Sequence, residues 1–267
     1  MEGIKGRVAL VTGASRGIGE AAARQLARWG ATVVLADLRE PEGAQVAAQI
    51  AGAMFMPLDV GCEQSWTNVV QTVVALHGRI DILVASAGIY QTASLNETSL
   101  AFYERIVRVN QVGVFLGMRA VLPAMRERGG SIINLSSTSG LRGNQNSIAY
   151  GASKWAVRGM TKVAAMEFGA YGIRVNSVHP GLIDTAMNHE EMGHERIREV
   201  GATVPLGRPG EADEVASVIC FLASNASSYV TGAEFVVDGG STAGVLRRAF
   251  DARPPGVTQG PIAGQKV

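Results

Sequence analysis

The chain has 267 residues, of which 47% are hydrophobic, and its formal net charge is +1 at pH 7. This length and composition predict a single domain with one large core, and the balanced charge disfavours binding to nucleic acid or to an anionic membrane surface. Because no apolar run approaches the ~18 residues of a membrane-spanning helix and the first residues do not form a signal sequence, we expect a cytoplasmic protein that does not bind a membrane.

Two cysteines, Cys62 and Cys220, lie far apart within mixed apolar segments. Isolated cysteines of this kind are typical of small buried hydrophobic side chains, not of a disulfide framework or a metal pair. We therefore expect both to be buried and reduced.

Short segments rich in Val, Ile and Leu alternate along the chain with longer segments of helical periodicity. The predicted strands are 7–12, 32–36, 53–58, 80–85, 131–135, 173–178 and 233–237. The predicted helices are 17–29, 41–51, 63–77, 99–127, 150–170 and 211–223. This alternation predicts a parallel sheet with helices on both faces. We therefore expect a single-domain, doubly wound α/β fold of the Rossmann type with about seven strands.

Two segments depart from this alternation. Residues 186–208 contain no clear strand, and a connection of this length in a compact domain usually forms a lid or a binding loop. Residues 246–267 contain Pro254-Pro255 and several glycines. The sequence therefore predicts one main domain over residues 1–245, with a substrate lid at about 186–208, followed by a loosely ordered C-terminal tail.

A glycine-rich turn joins the first predicted strand to the first predicted helix. In TGASRGIG at 12–19, Gly13, Gly17 and Gly19 have the spacing Gly-x-x-x-Gly-x-Gly. Residues without Cβ let the backbone approach a pyrophosphate, whose charge the helix N-terminus then stabilises. A tight structural turn would also explain the glycines, but their place between a strand and a helix favours a dinucleotide.

Two aspartates follow the next two predicted strands. Asp37 lies where a carboxylate can accept hydrogen bonds from both hydroxyls of an adenosine ribose. Asp59 is placed to bind the adenine amino group. An ordinary turn or cap residue is the alternative for each, and it is almost as strong as the functional interpretation for Asp59.

Tyr150 and Lys154 stand four residues apart near the start of a predicted helix and therefore share one face. An unperturbed tyrosine is a poor base, and bringing its pKa from ~10 to ~7 requires about 4 kcal/mol of preferential stabilisation of the phenolate. An ammonium group ~4 Å away supplies about 4 kcal/mol at an effective dielectric of ~20. The pair therefore predicts an acid/base centre, with a surface tyrosine beside a solvated lysine as the alternative.

Two further polar residues belong to this group. Ser137 follows a predicted strand at the carboxyl end of the sheet, where ligands bind in open α/β folds and where a hydroxyl can donate to a substrate oxygen. Asn110 lies inside the predicted helix 99–127, at which position asparagine usually marks a bend or a solvated face.

Over residues 5–243 these motifs together resemble the short-chain dehydrogenase/reductase family. The resemblance implies an NAD-binding catalytic domain with a tetrad of Asn110, Ser137, Tyr150 and Lys154. Tyr150 would be the general acid/base and Ser137 would polarise the carbonyl. Lys154 would also hold the nicotinamide ribose, and Asn110 would anchor a water of the proton relay.

The resemblance implies further cofactor contacts. The nicotinamide would be framed by Pro180, Gly181, Ile183 and Thr185. The rest of the dinucleotide would be contacted by Gly13, Ser15, Arg16, Gly17, Ile18, Gly19, Asp37, Asp59, Val60, Ala87 and Gly88. One departure from the family pattern is Ser86, which replaces the usual asparagine and reaches less far.

Asp37 and Arg16 favour opposite cofactors. Related NADP-dependent enzymes often carry a phosphate-binding cation near the position of Arg16. Asp37 would occupy the space that a 2′-phosphate needs and would repel its charge. We therefore expect NAD(H).

The resemblance implies hydride transfer between NAD(H) and a secondary alcohol or ketone. The expected pocket residues are Tyr90, Gln91, 138–147, Met187, Met192, Val200 and Val204. Their apolar character, without an arginine cluster, favours an uncharged, bulky secondary alcohol. The stretches at 150–165 and 173–181 resemble those of bacterial 3α/20β-hydroxysteroid dehydrogenases, which favours a hydroxysteroid ahead of other cyclic or aryl alcohols. The alternatives are a 3-oxoacyl-carrier-protein or diketone reductase and, more remotely, a non-catalytic NAD-binding scaffold.

Two further expectations concern the oligomeric state and metal binding. The family pairs its equivalent long helices between subunits, which implies a homotetramer. The apolar residues expected beyond the needs of the core are Phe115, Leu116, Met118, Trp155, Val157 and Met160. His189 and His194 stand five apart, a spacing that would turn their rings off a common helical face, so we expect no metal site.

Overall fold

The structure, a computed structural model, describes residues 1–245, so the predicted tail at 246–267 lies outside the described residues. The strands are β1 (Val8–Thr12), β2 (Thr32–Asp37), β3 (Met54–Pro57), β4 (Ile82–Ala85), β5 (Gly130–Leu135), β6 (Ile173–Pro180), β7 (Ile183–Asp184), β8 (Gly210–Glu211) and β9 (Glu234–Val237). Within the described range, seven of them form one parallel sheet in the order β3-β2-β1-β4-β5-β6-β9, and β7 pairs with β8. The predicted doubly wound α/β fold is confirmed.

The helices cover both faces of this sheet. They are α1 (Gly17–Arg28), α2 (Glu40–Ala48), α3 (Glu63–His77), α4 (Leu100–Val107), α5 (Gly113–Met125), α6 (Ile148–Phe168), α7 (Ala186–Met192), α8 (His194–Gly201) and α9 (Ala212–Ala223). None of the helices in residues 1–245 is long and apolar enough to cross a membrane.

Two apolar cores lie on opposite faces of the sheet. Successive side chains of a strand point to opposite faces, so Ala9 and Val11 of β1 pack with α1, α2 and α9, whereas Val8 and Leu10 pack with α3, α5 and α6. Because β1 is buried on both faces, it reads as a continuous apolar run without polar alternation.

The predicted helix 99–127 is wrong as a single element. A π-helical stretch, Arg108–Val112, separates α4 from α5. Its middle residue, Asn110, is completely buried and therefore not solvated. Single π-helical turns of this kind occur frequently at functional sites. The stretch is only five residues long and has a helix on each side, so the sequence predicts one continuous helix.

Two predictions of burial need correction. Cys62, the residue just before α3, is exposed, whereas Cys220 is buried. Among the apolar residues expected to be left over for subunit contacts, Phe115 and Trp155 are about half exposed, at 44% and 47%. The others pack inside the chain: Leu116, Met118 and Val157 are buried, and Met160 is partly buried.

Candidate active site

A cleft of about 580 Å³ opens at the carboxyl ends of the strands. In a parallel sheet these ends share one edge, and β1 and β4 lie at the point where the strand order reverses, which is the ligand-binding position of open α/β folds. The cleft collects predicted residues from opposite ends of the chain. Its lining includes Ile18, Gly88, Ser137, Tyr150, Lys154, Pro180, Gly181, Ile183 and Thr185.

Close backbone packing accounts for two glycines of the turn after β1. A Cβ on Gly19 would lie 2.2 Å from the carbonyl oxygen of Gly13, and a Cβ on Gly13 would lie 2.7 Å from Cα of Ala87. Gly17 has φ +61° and faces Thr185 at the start of the lid. Among the described residues no side chain caps α1, so its N-terminus fits a pyrophosphate.

Asp37 ends β2 beside this turn. Its carboxylate accepts hydrogen bonds from the backbone N–H of Ser15 (3.1 Å) and of Arg39 (3.1 Å). These bonds fix the carboxylate at the position predicted for an adenosine ribose. Ser15 also donates from Oγ to the carbonyl of Arg39, at 3.2 Å, which ties the glycine-rich turn to the end of β2.

Asp59 and Val60 make mainly internal contacts. The Asp59 carboxylate accepts from the backbone N–H of Gly61 at 2.8 Å. Val60 is buried, and its carbonyl accepts from the indole N–H of Trp66 at 3.0 Å. This geometry favours the alternative of an ordinary turn residue for Asp59.

Tyr150 and Ser137 meet in the cleft. Both side chains line it, and the Ser137 hydroxyl partly offsets the rise that burial causes in the Tyr150 pKa, although the residues come from α6 and from the end of β5. The Ser137 hydroxyl also accepts from the N–H of Ser139 at 3.1 Å, so its orientation is set from its own loop. Burial raises the pKa of Tyr150 to about 12, which keeps the phenol protonated and able to donate a proton at neutral pH.

Lys154 lies one helical turn after Tyr150 and is 5% exposed. Its ammonium group donates to the carbonyl of Leu135 at 2.8 Å and lies 5.6 Å from the centre of the Tyr150 ring. Burial lowers the pKa of Lys154 to about 8. The prediction that Lys154 brings the Tyr150 pKa near 7 is therefore not met by these two residues alone, because burial disfavours the charged phenolate.

Asn110 braces the far wall of the site. Its side-chain oxygen accepts from the N–H of Ile89 at 2.8 Å, and its amide group donates to the Ile89 carbonyl at 2.9 Å. A Cβ on the adjoining Gly88 would lie 3.3 Å from Asn110 Oδ1 and 3.7 Å from Lys154 Nζ. The π-helical turn thus places Asn110 against the same backbone segment as the lysine.

Ser86 and Ala87 are held from β1. The hydroxyl of Thr12 accepts from the backbone N–H of both residues, at 3.1 Å each. Thr12 therefore holds the backbone of this loop in place, and these hydrogen bonds do not require a longer side chain at position 86.

Sequence reasoning missed His179 at the end of β6. The ring is completely buried; Nδ1 lies 3.1 Å from the carbonyl oxygen of Ser137, and Nε2 lies 2.8 Å from the hydroxyl of Ser177. Burial lowers the pKa of His179, so the ring stays neutral and braces the Ser137 loop. A single histidine at the end of a strand has no local sequence pattern that would predict this contact.

In the segment predicted to form a lid, residues 186–208, two histidines lie closer together than expected. It contains α7 and α8, separated by Gly193 with φ +78°. His189 and His194 were expected to diverge, but because they belong to different helices their ring centres lie 3.7 Å apart. The described residues contain no cluster of three or more metal-ligating side chains.

The cleft lies at one edge of a doubly wound parallel sheet, beside an uncapped helix that follows a glycine-rich turn. Tyr150, Ser137 and Lys154 line this cleft. These features together define a nicotinamide-dependent oxidoreductase. The family comparison agrees. A family model described as "Enoyl-(Acyl carrier protein) reductase" matches residues 13–242, and the chain belongs to the short-chain dehydrogenase/reductase family.

Curated relatives cover nearly the whole chain. A trans-4-hydroxycyclohexanecarboxylate dehydrogenase of Sinomonas cyclohexanicum is 44% identical over 89% of this chain and 93% of its own length. A 3-alpha-(or 20-beta)-hydroxysteroid dehydrogenase of Mycobacterium bovis is 45% identical over 92% and 94%. A cyclopentanol dehydrogenase of Comamonas testosteroni is 42% identical over 90% and 98%. The chain is accordingly an oxidoreductase that acts on the CH–OH group of secondary alcohols with a nicotinamide cofactor.

Proposed function

We propose that this protein is an NAD(H)-dependent dehydrogenase of a cyclic secondary alcohol, with a hydroxysteroid as the leading substrate class, and that it also catalyses the reverse reduction. The observation that carries the proposal is that Tyr150, Ser137 and Lys154 line one cleft, in which the Ser137 hydroxyl acts on the Tyr150 phenol. The names of the similar proteins, which include cyclic alcohol and hydroxysteroid dehydrogenases, support the substrate class.

The chain's own residues supply the proton chemistry. When bound, an oxidised nicotinamide would supply the acceptor for the hydride of the alcohol carbon. Ser137 hydrogen-bonds the substrate oxygen and positions it against Tyr150, whose phenolate takes the hydroxyl proton. Lys154 stabilises that phenolate by its charge. In the reductive direction the protonated phenol returns the proton to the carbonyl oxygen.

Asp37 supports NAD(H) as the cofactor. Two backbone N–H groups donate to its carboxylate and hold it beside the glycine-rich turn, which supports a role at the adenosine ribose. A phosphate on the ribose would face this fixed negative charge.

The substrate half of the cleft is mostly apolar. Tyr90, Met187, Met192, Val200 and Val204 line it as expected. Gln91 does not line the cleft, because its side chain accepts a hydrogen bond from Arg105. Methionines adapt to irregular rings, so this lining suits a bulky alicyclic alcohol.

A second candidate substrate follows from Arg142. It lines the cleft and donates to the carbonyl of Ser241 at 2.7 Å, so one guanidinium lies at the described part of the cleft. A ring alcohol with a carboxylate opposite its hydroxyl, as named for the Sinomonas relative, could pair with this guanidinium.

One substrate panel tests both candidates. NADH or NADPH formation is followed with cyclohexanol, cyclopentanol, a 3α-hydroxysteroid and trans-4-hydroxycyclohexanecarboxylate, each with NAD⁺ and NADP⁺. We expect the highest kcat/KM with NAD⁺ and with one of the cyclic alcohols. Arg142→Gln should raise KM for the carboxylate substrate alone if that substrate is the correct one.

The same panel contains its negative outcomes. Faster turnover of 3-oxoacyl thioesters, enoyl thioesters or diketones than of every cyclic alcohol or ketone would replace the proposed substrate class. Higher kcat/KM with NADP⁺ would refute the NAD assignment, and binding of NADH without turnover of any substrate would favour a non-catalytic scaffold.

We also propose a homotetramer, supported by an exposed apolar strip along α6. Trp155, Val163 and Met166 lie on this strip, and Met166 is 85% exposed. Charge in such a strip opposes association, so Met166→Glu should reduce the tetramer to smaller species in light scattering at micromolar concentration. Leu76→Glu, which alters an exposed leucine on α3, is the control and should leave the mass unchanged. A monomeric wild-type protein would contradict the proposal.

A further inference from the structure

Two consecutive glutamates fasten the lid to opposite walls of the cleft. The carboxylate of Glu190 in α7 forms a two-pronged ion pair with Arg16 of the glycine-rich turn, with Nη2 and Oε2 2.9 Å apart. The carboxylate of Glu191 accepts from the backbone N–H of Thr92 at 3.0 Å and from its hydroxyl. The cofactor side and the substrate side therefore have separate lid contacts.

Arg16 belongs to the glycine-rich turn beside Asp37. The adjoining Ser15 donates to Asp37, and three carboxylates, those of Glu190, Asp37 and Glu42, raise the pKa of Arg16. Of the three, Glu190 alone forms a hydrogen bond with it and contributes most. Glu42 lies 3.6 Å from Arg39 and is shared with that cation.

We propose that Glu190 is a specificity-determining residue for the cofactor: by pairing with Arg16, the lid withdraws the cation that would otherwise bind a 2′-phosphate on the adenosine ribose. The inference deepens the proposed NAD(H) function and rests on it. Asp37 repels the phosphate directly, whereas Glu190 acts by occupying the guanidinium in the two-oxygen geometry that a phosphate would use.

The pairing also links the choice of cofactor to the lid. A 2′-phosphorylated dinucleotide can gain Arg16 only by displacing Glu190, which removes the lid contact on the cofactor side. An unphosphorylated dinucleotide leaves that contact in place. Discrimination therefore includes the loss of a lid contact, in addition to repulsion at Asp37.

The test compares two neighbouring substitutions that each remove one lid charge. Glu190→Gln should lower the Kd of adenosine 2′,5′-bisphosphate relative to that of AMP by about tenfold, because the Arg16 guanidinium is then free to bind the 2′-phosphate. The ratio of kcat/KM for NADP⁺ to that for NAD⁺ should rise by a similar factor. Glu191→Gln, which loosens the lid without freeing Arg16, should change either ratio by less than about twofold.

A double variant completes the design. Adding Arg16→Gln to Glu190→Gln should return both ratios to the wild-type values, since the freed cation is then absent. Unchanged ratios in Glu190→Gln, or an equal rise in Glu191→Gln, would overturn the proposal. A wild-type preference for NADP⁺ would refute the NAD assignment by itself, and the effect of Glu190→Gln on the bisphosphate would still be measurable.

Discussion

Replacing Tyr150 with phenylalanine should lower kcat for alcohol oxidation by roughly 10²–10⁴-fold, the usual contribution of a positioned general base, while the Kd for NADH changes by less than about threefold. The phenyl ring preserves the packing, whereas the hydroxyl that meets Ser137 is lost. Because burial raises the Tyr150 pKa to about 12, oxidation by the wild type should rise with pH as the phenolate forms. Residual turnover in the variant should not follow this rise.

The cleft contains a matched control for this experiment. The ring of Tyr90 contacts that of Tyr150 edge-on, with centres 4.7 Å apart, and burial also raises its pKa. Tyr90→Phe removes a hydroxyl from the same cleft and should retain kcat within a few-fold. Turnover near the wild-type value in Tyr150→Phe, or an equal loss in Tyr90→Phe, would show that Tyr150 is not the base.

Replacing Lys154 with methionine should lower kcat by roughly 10²-fold and should also weaken NADH binding. At the 5.6 Å that separates the ammonium from the Tyr150 ring centre, one charge is worth about 3 kcal/mol at an effective dielectric of ~20. Below the Lys154 pKa of about 8 this charge favours the phenolate, so without it oxidation in that pH range should fall and the pH at which oxidation increases should move upward. Initial rates across pH and fluorescence titration with NADH measure the two effects.

Lys162→Met provides the comparison for Lys154. Lys162 lies two turns later on α6, is about half exposed and pairs with Glu234 at 2.7 Å. The Lys162→Met substitution should leave the pH profile and the Kd for NADH unchanged. If Lys154→Met lowered kcat without moving the pH profile, the lysine would act in packing or in ribose binding and not on the phenol.

The order of elements could be predicted because the physical signal is local. Buried parallel strands read as apolar runs and the intervening helices repeat every 3.6 residues, so each predicted strand of the main sheet has a counterpart within about three residues. The exceptions have local causes too. The π-helical turn at Arg108–Val112 lies between two helical segments, α4 and α5, and is only five residues long, and the short lid helices lack an apolar face long enough to recognise.

The candidate site was predictable where its residues are neighbours in sequence. Tyr150 and Lys154 occupy one helix face, and the glycines of the turn after β1 lie within seven positions. Ser137 could be placed because parallel strands end at a common edge. Its bond to His179 could not, since that contact spans 42 residues and joins two different strand ends.

The sequence by itself determined the fold class, the family and the pairing of a glycine-rich turn with an acid/base tyrosine, because each depends on periodicity or on short spacing. Only the tertiary structure decided which distant polar and charged groups meet. Arg16 and Glu190 are 174 residues apart, and Glu191 and Thr92 are 99 apart. Contacts of this kind arise from how packed elements are oriented in space, and neither partner carries a local pattern that identifies the other.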